Sequence, residues 1–107
     1  MLNPLVSIII PFKNTEDYIE TCFTSILNQS YLNFEVIAVN DHSTDTSAAI
    51  VHGFTTKDTR FKLFEAKNSG IISALQLGYS KASGTLITRM DSDDIMTATK
   101  LQVMVDA

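Results

Sequence analysis

Leu5-Val6-Ser7-Ile8-Ile9-Ile10, stopped by Pro11, is the stretch that decides the fold. It is almost continuously apolar, rich in β-branched side chains, and shows no polar alternation. That is the pattern of a strand buried on both faces, and such strands belong to parallel sheets covered by helices on either side. Phe34-Glu35-Val36-Ile37-Ala38-Val39 reads the same way and runs into Asn40-Asp41. Phe61-Lys62-Leu63-Phe64-Glu65 is shorter and alternates more, and Thr85-Leu86-Ile87-Thr88-Arg89-Met90 is a fourth run that ends in Asp91.

Helical patterns separate these runs. Ile19, Cys22, Phe23, Ile26 and Leu27 form an apolar stripe of helical period. Asn14 or Thr15 is expected to cap that helix, with Glu16 and Asp17 at its positive end. Ser43-Thr44-Asp45 is expected to open a second helix carrying Ala49, Ile50 and Phe54. Ser69-Gly70 opens a third, with Ile71, Leu75, Tyr79 and Ala82, and Gly84 is read as its stop. A fourth pattern starts at Thr97 and holds Leu101, Met104 and Val105. The order β-α-β-α-β-α-β-α with right-handed crossovers predicts a doubly wound, parallel, four-stranded α/β sheet in the order 3-2-1-4, with helices on both faces.

Composition narrows the function. The 107 residues include 45% hydrophobic and 19% charged side chains, which suits one small packed domain. Eight basic residues against twelve acidic ones give a net charge of −4 and no basic run, so no nucleic-acid partner is expected. Cys22 is the only cysteine, which excludes an internal disulfide and a multi-cysteine zinc site; on its apolar stripe it reads as a core residue. No apolar run approaches the roughly 20 residues of a membrane span. Met1-Leu2-Asn3-Pro4 lacks the basic opening of a secretory signal, so the expected setting is cytoplasmic. Dinucleotide, P-loop and nucleophile-elbow glycine motifs are absent from the sequence.

In sheets of this kind ligands bind beyond the carboxyl ends of the strands. Three polar clusters fall there: Pro11-Phe12-Lys13-Asn14, Asn40-Asp41-His42-Ser43 and Asp91-Ser92-Asp93-Asp94. The last places three carboxylates in four residues, which suits either a hard divalent cation such as Mg²⁺ or Mn²⁺ or a solvated turn that caps the next helix. Asp41 is placed either to accept hydrogen bonds from a ligand or to cap a helix. Asn68-Ser69-Gly70 permits a close backbone approach, or is an ordinary strand-to-helix turn. His42 and His52 have no partners at metal spacing and read as surface residues.

Five motifs in order resemble the start of family 2 glycosyltransferases. They are Val6-Ser7-Ile8-Ile9-Ile10-Pro11-Phe12-Lys13-Asn14, Ser25-Ile26-Leu27-Asn28-Gln29-Ser30-Tyr31, and Phe34 through Asp45. The other two are Asn68 through Gly78 with Ala82-Ser83-Gly84, and Met90-Asp91-Ser92-Asp93-Asp94. The resemblance covers about Val6 to Asp94 and implies the nucleotide-sugar-binding half of a GT-A fold, with residues 1–107 as a single truncated donor-binding domain.

Position by position, the resemblance implies that Pro11, Lys13 and Asn14 belong to a nucleotide-binding loop. It likens Asp41 to an aspartate on the uracil base and sets Asn68 and Gly70 beside the nucleotide. Asp91 then faces the ribose and diphosphate, and Asp93, with Asp91, holds Mn²⁺ or Mg²⁺. The implied reaction is inverting transfer from a nucleoside-diphosphate sugar, a UDP-sugar before others, to an acceptor hydroxyl. Lys13 stands where an aromatic residue often packs on the base, and its ammonium is placed to meet a phosphate instead. Asn40 and His42 replace a frequent Asp and Gly, and Leu75 and Gln76 a common Arg and Asn.

The family's general base and acceptor-binding elements lie beyond the D-x-D motif. The base is therefore expected past Ala107, along with the acceptor site and any membrane association, and these residues alone are expected to be inactive. The alternative is a non-enzymatic metal- or nucleotide-binding α/β module. The strand at Thr85–Met90 is expected at a sheet edge, where it or the C-terminal helix is a site for self-association.

Overall fold

A computed structural model describes residues 3–107; Met1 and Leu2, on which the expectation of no leader rests, lie outside the described residues. The elements follow in the order β1 (Val6–Phe12), α1 (Ile19–Leu27), β2 (Phe34–Asn40), α2 (Ser47–Lys57), β3 (Phe61–Glu65), α3 (Ile71–Lys81), β4 (Leu86–Arg89) and α4 (Lys100–Asp106). All pairings are parallel and the sheet order is β3-β2-β1-β4, as the sequence predicts.

Every residue of β1 and β2 is buried, the physical counterpart of their unbroken apolar runs. Val6, Ile8, Ile10 and Phe12 point to one face, where they join α1, Val51 of α2 and Leu101 of α4. Phe23, Phe54 and Phe61 pack there edge-to-face or tilted, with ring centroids 5.2–5.6 Å apart, and lock α1 and α2 onto β3. Ile9, Ile37 and Val39 point to the other face, under α3.

Pro11 sits inside β1 rather than in a loop, and it shapes the rim. Ile9 C=O accepts the Met90 N–H at 3.0 Å. In a parallel ladder the next donor on that side of β1 is residue 11, and proline has none. Pairing with β4 accordingly ends at Ile9↔Arg89, and the chain leaves the sheet before Asp91.

Several boundaries differ from the sequence expectation. Neither Asn14 nor Thr15 caps α1 with its side chain; the N-cap is Tyr18, and the Thr15 C=O accepts the Tyr18 and Ile19 N–H groups. Asn14 is committed elsewhere, as described below. Gly84 does not stop α3, whose C-cap is Ala82. Gly84 lies where the chain crosses β1: a Cβ there would stand 2.6 Å from the Leu5 carbonyl oxygen and 2.8 Å from the Ser7 nitrogen. α2 starts at Ser47 because the Asp45 carboxylate takes the Ser47 N–H at 2.9 Å. α4 starts at Lys100, not Thr97, because Gln29 and Ser30 take the Thr97 and Ala98 carbonyls. Leu101 is fully buried and Met104 and Val105 pack on the same core, so the apolar face expected to seek a partner is covered by the chain's own sheet layer.

The amino ends of the strands carry a buried carboxylate. Glu35 on β2 accepts from Ser7 Oγ (2.6 Å), Lys62 Nζ (2.9 Å) and the Ser83 N–H (2.7 Å), joining three strands and the α3–β4 turn. Burial pushes this carboxyl up, but the hydrogen bonds from Ser7, Ser83 and Lys62 outweigh it and hold it below its ordinary value.

Candidate functional site

The carboxyl ends of the strands gather the polar clusters at one rim. Asn14 adopts φ 52, a left-handed conformation that asparagine tolerates better than most residues. From there its N–H donates to Ser43 Oγ (3.1 Å), and its Oδ1 accepts the N–H groups of Thr44 (2.7 Å) and Asp45 (3.3 Å). Glu16 completes the lacing: its N–H donates to Asp45 Oδ2 (3.2 Å) and its carboxylate accepts the Thr46 N–H (3.0 Å). The loops after β1 and β2 thus behave as one unit, with Lys13 exposed beside them.

Asn40 and His42 find distinct uses in this rim. Asn40 Nδ2 donates to Glu65 Oε1 (2.9 Å) and its Oδ1 accepts the Ser43 N–H (3.0 Å), so it ties the end of β3 to the loop after β2. His42 is exposed at φ 61, a region that glycine enters without steric cost. A glycine would suit this turn by backbone geometry alone. His52 is also exposed.

Asp41 is buried at 8% exposure and caps no part of α2. Its two carboxylate oxygens accept the Gly70 N–H at 3.1 and 3.2 Å. Gly70 is the N-cap of α3 at φ 108, and Asn68 is exposed just before it. The second and third rim turns are therefore joined through a largely buried carboxylate.

The loop after β4 brings Asp91, Asp93 and Asp94 together, with carboxylate oxygens within 4.8 Å of one another, all three exposed. Ligands on opposite sides of an octahedral Mg²⁺ stand about 4.2 Å apart, so small rotations bring this set into range, and oxygen donors suit a hard cation. Asp94 joins the two aspartates singled out from the sequence. Arg89 lies 3.6 Å from Asp91. An open cleft of about 600 Å³ lies between β4 and the segment leading to α4, with Arg89, Asp91, Asp94, Thr97 and Lys100 in its wall.

Cys22 is buried beneath this loop, its sulfur 3.7 Å from the Asp91 carbonyl oxygen. Burial, and then the negative charges of Asp94, Asp93 and Asp91, push its thiol up to about 12. It is a neutral packing group at physiological pH. Among the described residues no helix is long and apolar enough to cross a membrane.

Comparison with known proteins agrees with this geometry. The family model described as Glycosyl transferase family 2 matches residues 7–107. An uncharacterized glycosyltransferase of Haemophilus influenzae is 45% identical over 100 residues, 92% of this chain and 40% of that protein. The structure of Staphylococcus aureus TarS 1–349 in complex with UDP-GlcNAc aligns with a TM-score of 0.87 at 28% identity, over 94% of this chain and 30% of that one. The mannosyltransferase PcManGT from Pyrobaculum calidifontis, in complex with GDP-Man and Mn²⁺, aligns with a TM-score of 0.80 at 26% identity, over 87% of this chain and 28% of that one. The chain thus spans two fifths or less of the length of each of these proteins.

Proposed function

The chain belongs to glycosyl transferase family 2, and on that premise we propose that it is the nucleotide-sugar-binding portion of a metal-dependent, inverting glycosyltransferase. The sugar passes from a nucleoside-diphosphate donor, with a UDP-sugar favoured, to an acceptor hydroxyl. The observation that carries this reading is the shared rim of Asp41 and the Asp91–Asp93–Asp94 group, at the strand ends of a GT-A sheet.

In this account Asp41 accepts from an N–H of the base, its carboxylate held in place by its bond to Gly70. Asn14 keeps the first two rim loops in register, Pro11 releases the fourth strand into the acidic loop, and Lys13 faces a phosphate. Asn68 and Gly70 border the nucleotide. Asp93 and Asp91 hold Mn²⁺ or Mg²⁺, and Asp94 lies close enough to join them. The ion supplies charge neutralisation for the departing diphosphate. Complexes of the neighbours support the ligands proposed: one holds UDP-GlcNAc, the other GDP-Man and Mn²⁺.

The general base and the acceptor wall are assigned to chain beyond Ala107, so residues 1–107, as a single donor-binding domain, are proposed to bind donor without transferring sugar. The proposed setting is cytoplasmic, with any membrane association likewise assigned beyond Ala107.

A thermal-shift screen of UDP and GDP, with Mn²⁺ or with EDTA, tests the reading. At about ten times Kd a bound nucleotide adds about 1.4 kcal/mol, which raises Tm by roughly 6–11 °C in a domain of this size. A rise with nucleotide and Mn²⁺ supports the account; no rise with either nucleotide, with or without metal, contradicts it.

A further inference from the structure

Helix α1 and the turn after it hold the segment that follows the acidic loop. Ser25 Oγ donates to the Cys22 carbonyl (2.6 Å) and accepts the Met96 N–H (2.9 Å). Gln29 Nε2 donates to the Thr97 carbonyl at 2.5 Å, and its Oε1 accepts the Leu101 N–H at 3.1 Å. The Ser30 N–H donates to the Ala98 carbonyl at 2.9 Å. Gln29 is 3% exposed, and its Nε2 also reaches the Ser25 carbonyl at 3.5 Å, so its amide is committed to backbone partners.

The bond to Leu101 has a specific meaning. The first N–H groups of a helix have no intrahelical acceptor. Thr99, the N-cap of α4, makes no side-chain cap bond, and Gln29 supplies one from another helix. The acidic loop is therefore suspended between two fixed points. One is Met90, bonded to Ile9 on β1; the other is the Met96–Leu101 segment, bonded to Ser25 and Gln29 on the α1 side.

We infer that Gln29, assisted by Ser25, is a positioning residue for the metal-binding loop. This rests on the reading of Asp91 and Asp93 as metal ligands given above. Ligand groups must be held within about 0.5 Å of productive geometry to bind well. Gln29 reaches both a carbonyl and an N–H with one planar group. Glutamate lacks the donor and asparagine is one methylene short. The Asp41–Gly70 half of the rim has no bond to Gln29, so the base end of the nucleotide site does not depend on it.

The test uses the purified 107-residue chain, its Gln29→Ala and Gln29→Met variants, and Asp93→Ala. UDP affinity is measured by calorimetry with Mn²⁺ and with EDTA, and the electron paramagnetic resonance signal of Mn²⁺ alone is followed on titration. Gln29→Met keeps the volume of the side chain and removes its hydrogen bonds to Thr97, Leu101 and Ser25, so it decides the matter if Gln29→Ala fails to fold. The expected result is a loss of about tenfold in the Mn²⁺-dependent gain in UDP affinity. Mn²⁺ binding weakens in parallel, and UDP affinity in EDTA stays within about twofold. An unchanged gain, an equal fall with and without Mn²⁺, or failure of both variants to fold overturns the inference. Loss of the gain in Asp93→Ala but not in Gln29→Met rejects the positioning role alone. Retention of the gain in Asp93→Ala rejects the metal reading and the inference together.

Discussion

The Asp41 carboxylate holds the Gly70 N–H between its two oxygens, at 3.1 and 3.2 Å. Asp41 directly follows β2 and Gly70 is the N-cap of α3, so a single charge-assisted bond sets the spacing of two rim turns. It also fixes this largely buried carboxylate in place, with acceptor capacity left over for a ligand. Gly70 keeps this position at φ 108, where a side chain is strained even though a Cβ would meet nothing within 4 Å.

Gly70→Ala should therefore cost about 1–3 kcal/mol through backbone strain alone, read as a lower denaturation midpoint. Asp41→Asn should weaken UDP binding about tenfold while changing stability less, because it removes the charge and keeps the shape. Calorimetry that finds UDP affinity unchanged in Asp41→Asn would remove Asp41 from the binding site.

The glycines of α3 and of the turn after it should differ in their tolerance. At Gly84 an added Cβ meets backbone atoms of Leu5 and Ser7, at 2.6 and 2.8 Å, so Gly84→Ala should cost about 3 kcal/mol. At Gly78 the nearest atom is Ile9 Cγ2, at 2.5 Å, the branch methyl of a fully buried, β-branched side chain whose χ1 is stiff. The better helix propensity of alanine, about 1 kcal/mol, offsets part of that clash. Gly78→Ala should cost about 1–2 kcal/mol, less than Gly84→Ala, where the clash is with backbone. Equal losses in urea denaturation would contradict this account of the two contacts.

Glu35 sets an acid limb. Its folded carboxyl titrates below its ordinary value of 4.5, so its stabilisation is fully present above that pH and is lost as pH falls through the folded value. Glu35→Gln should cost about 2 kcal/mol at neutral pH and flatten the fall in stability below pH 4.5. Parallel acid limbs for parent and variant, in urea midpoints against pH, would show that Glu35 does not carry the effect.

Among the described residues β4 pairs only with β1, and Ile87 on it is 43% exposed. An unpaired edge templates another chain, so self-association is expected through this strand rather than through α4, whose Leu101 is buried. Sedimentation over a concentration series should show association that Ile87→Lys abolishes. A monomer at all concentrations would contradict it.

Much of this was legible in the sequence because the decisive signals are short-range. The unbroken runs at Val6–Ile10 and Phe34–Val39 give buried parallel strands directly, and the stripe from Ile19 to Leu27 gives a helix with one apolar face. What stayed hidden depends on partners distant in the chain. Asn14 reads as a local cap, yet its carbonyl serves Thr44 and Asp45, about thirty residues on. Gly84 reads as a helix stop because proximity to Leu5 is invisible in one dimension. Gln29 reads as one polar residue of a motif, and only the fold shows its amide capping α4. Asp91, Asp93 and Asp94 are legible as three carboxylates in four residues, but the bend that gathers them is not.

In the proposed nucleotide site a metal on Asp93 strengthens donor binding. Calorimetric titration of UDP into the chain, with Mn²⁺ and then with EDTA, tests it most directly when repeated on Asp93→Ala. The account predicts weak binding that Mn²⁺ strengthens in the parent and leaves unchanged in the variant. Equal strengthening in both proteins would contradict it.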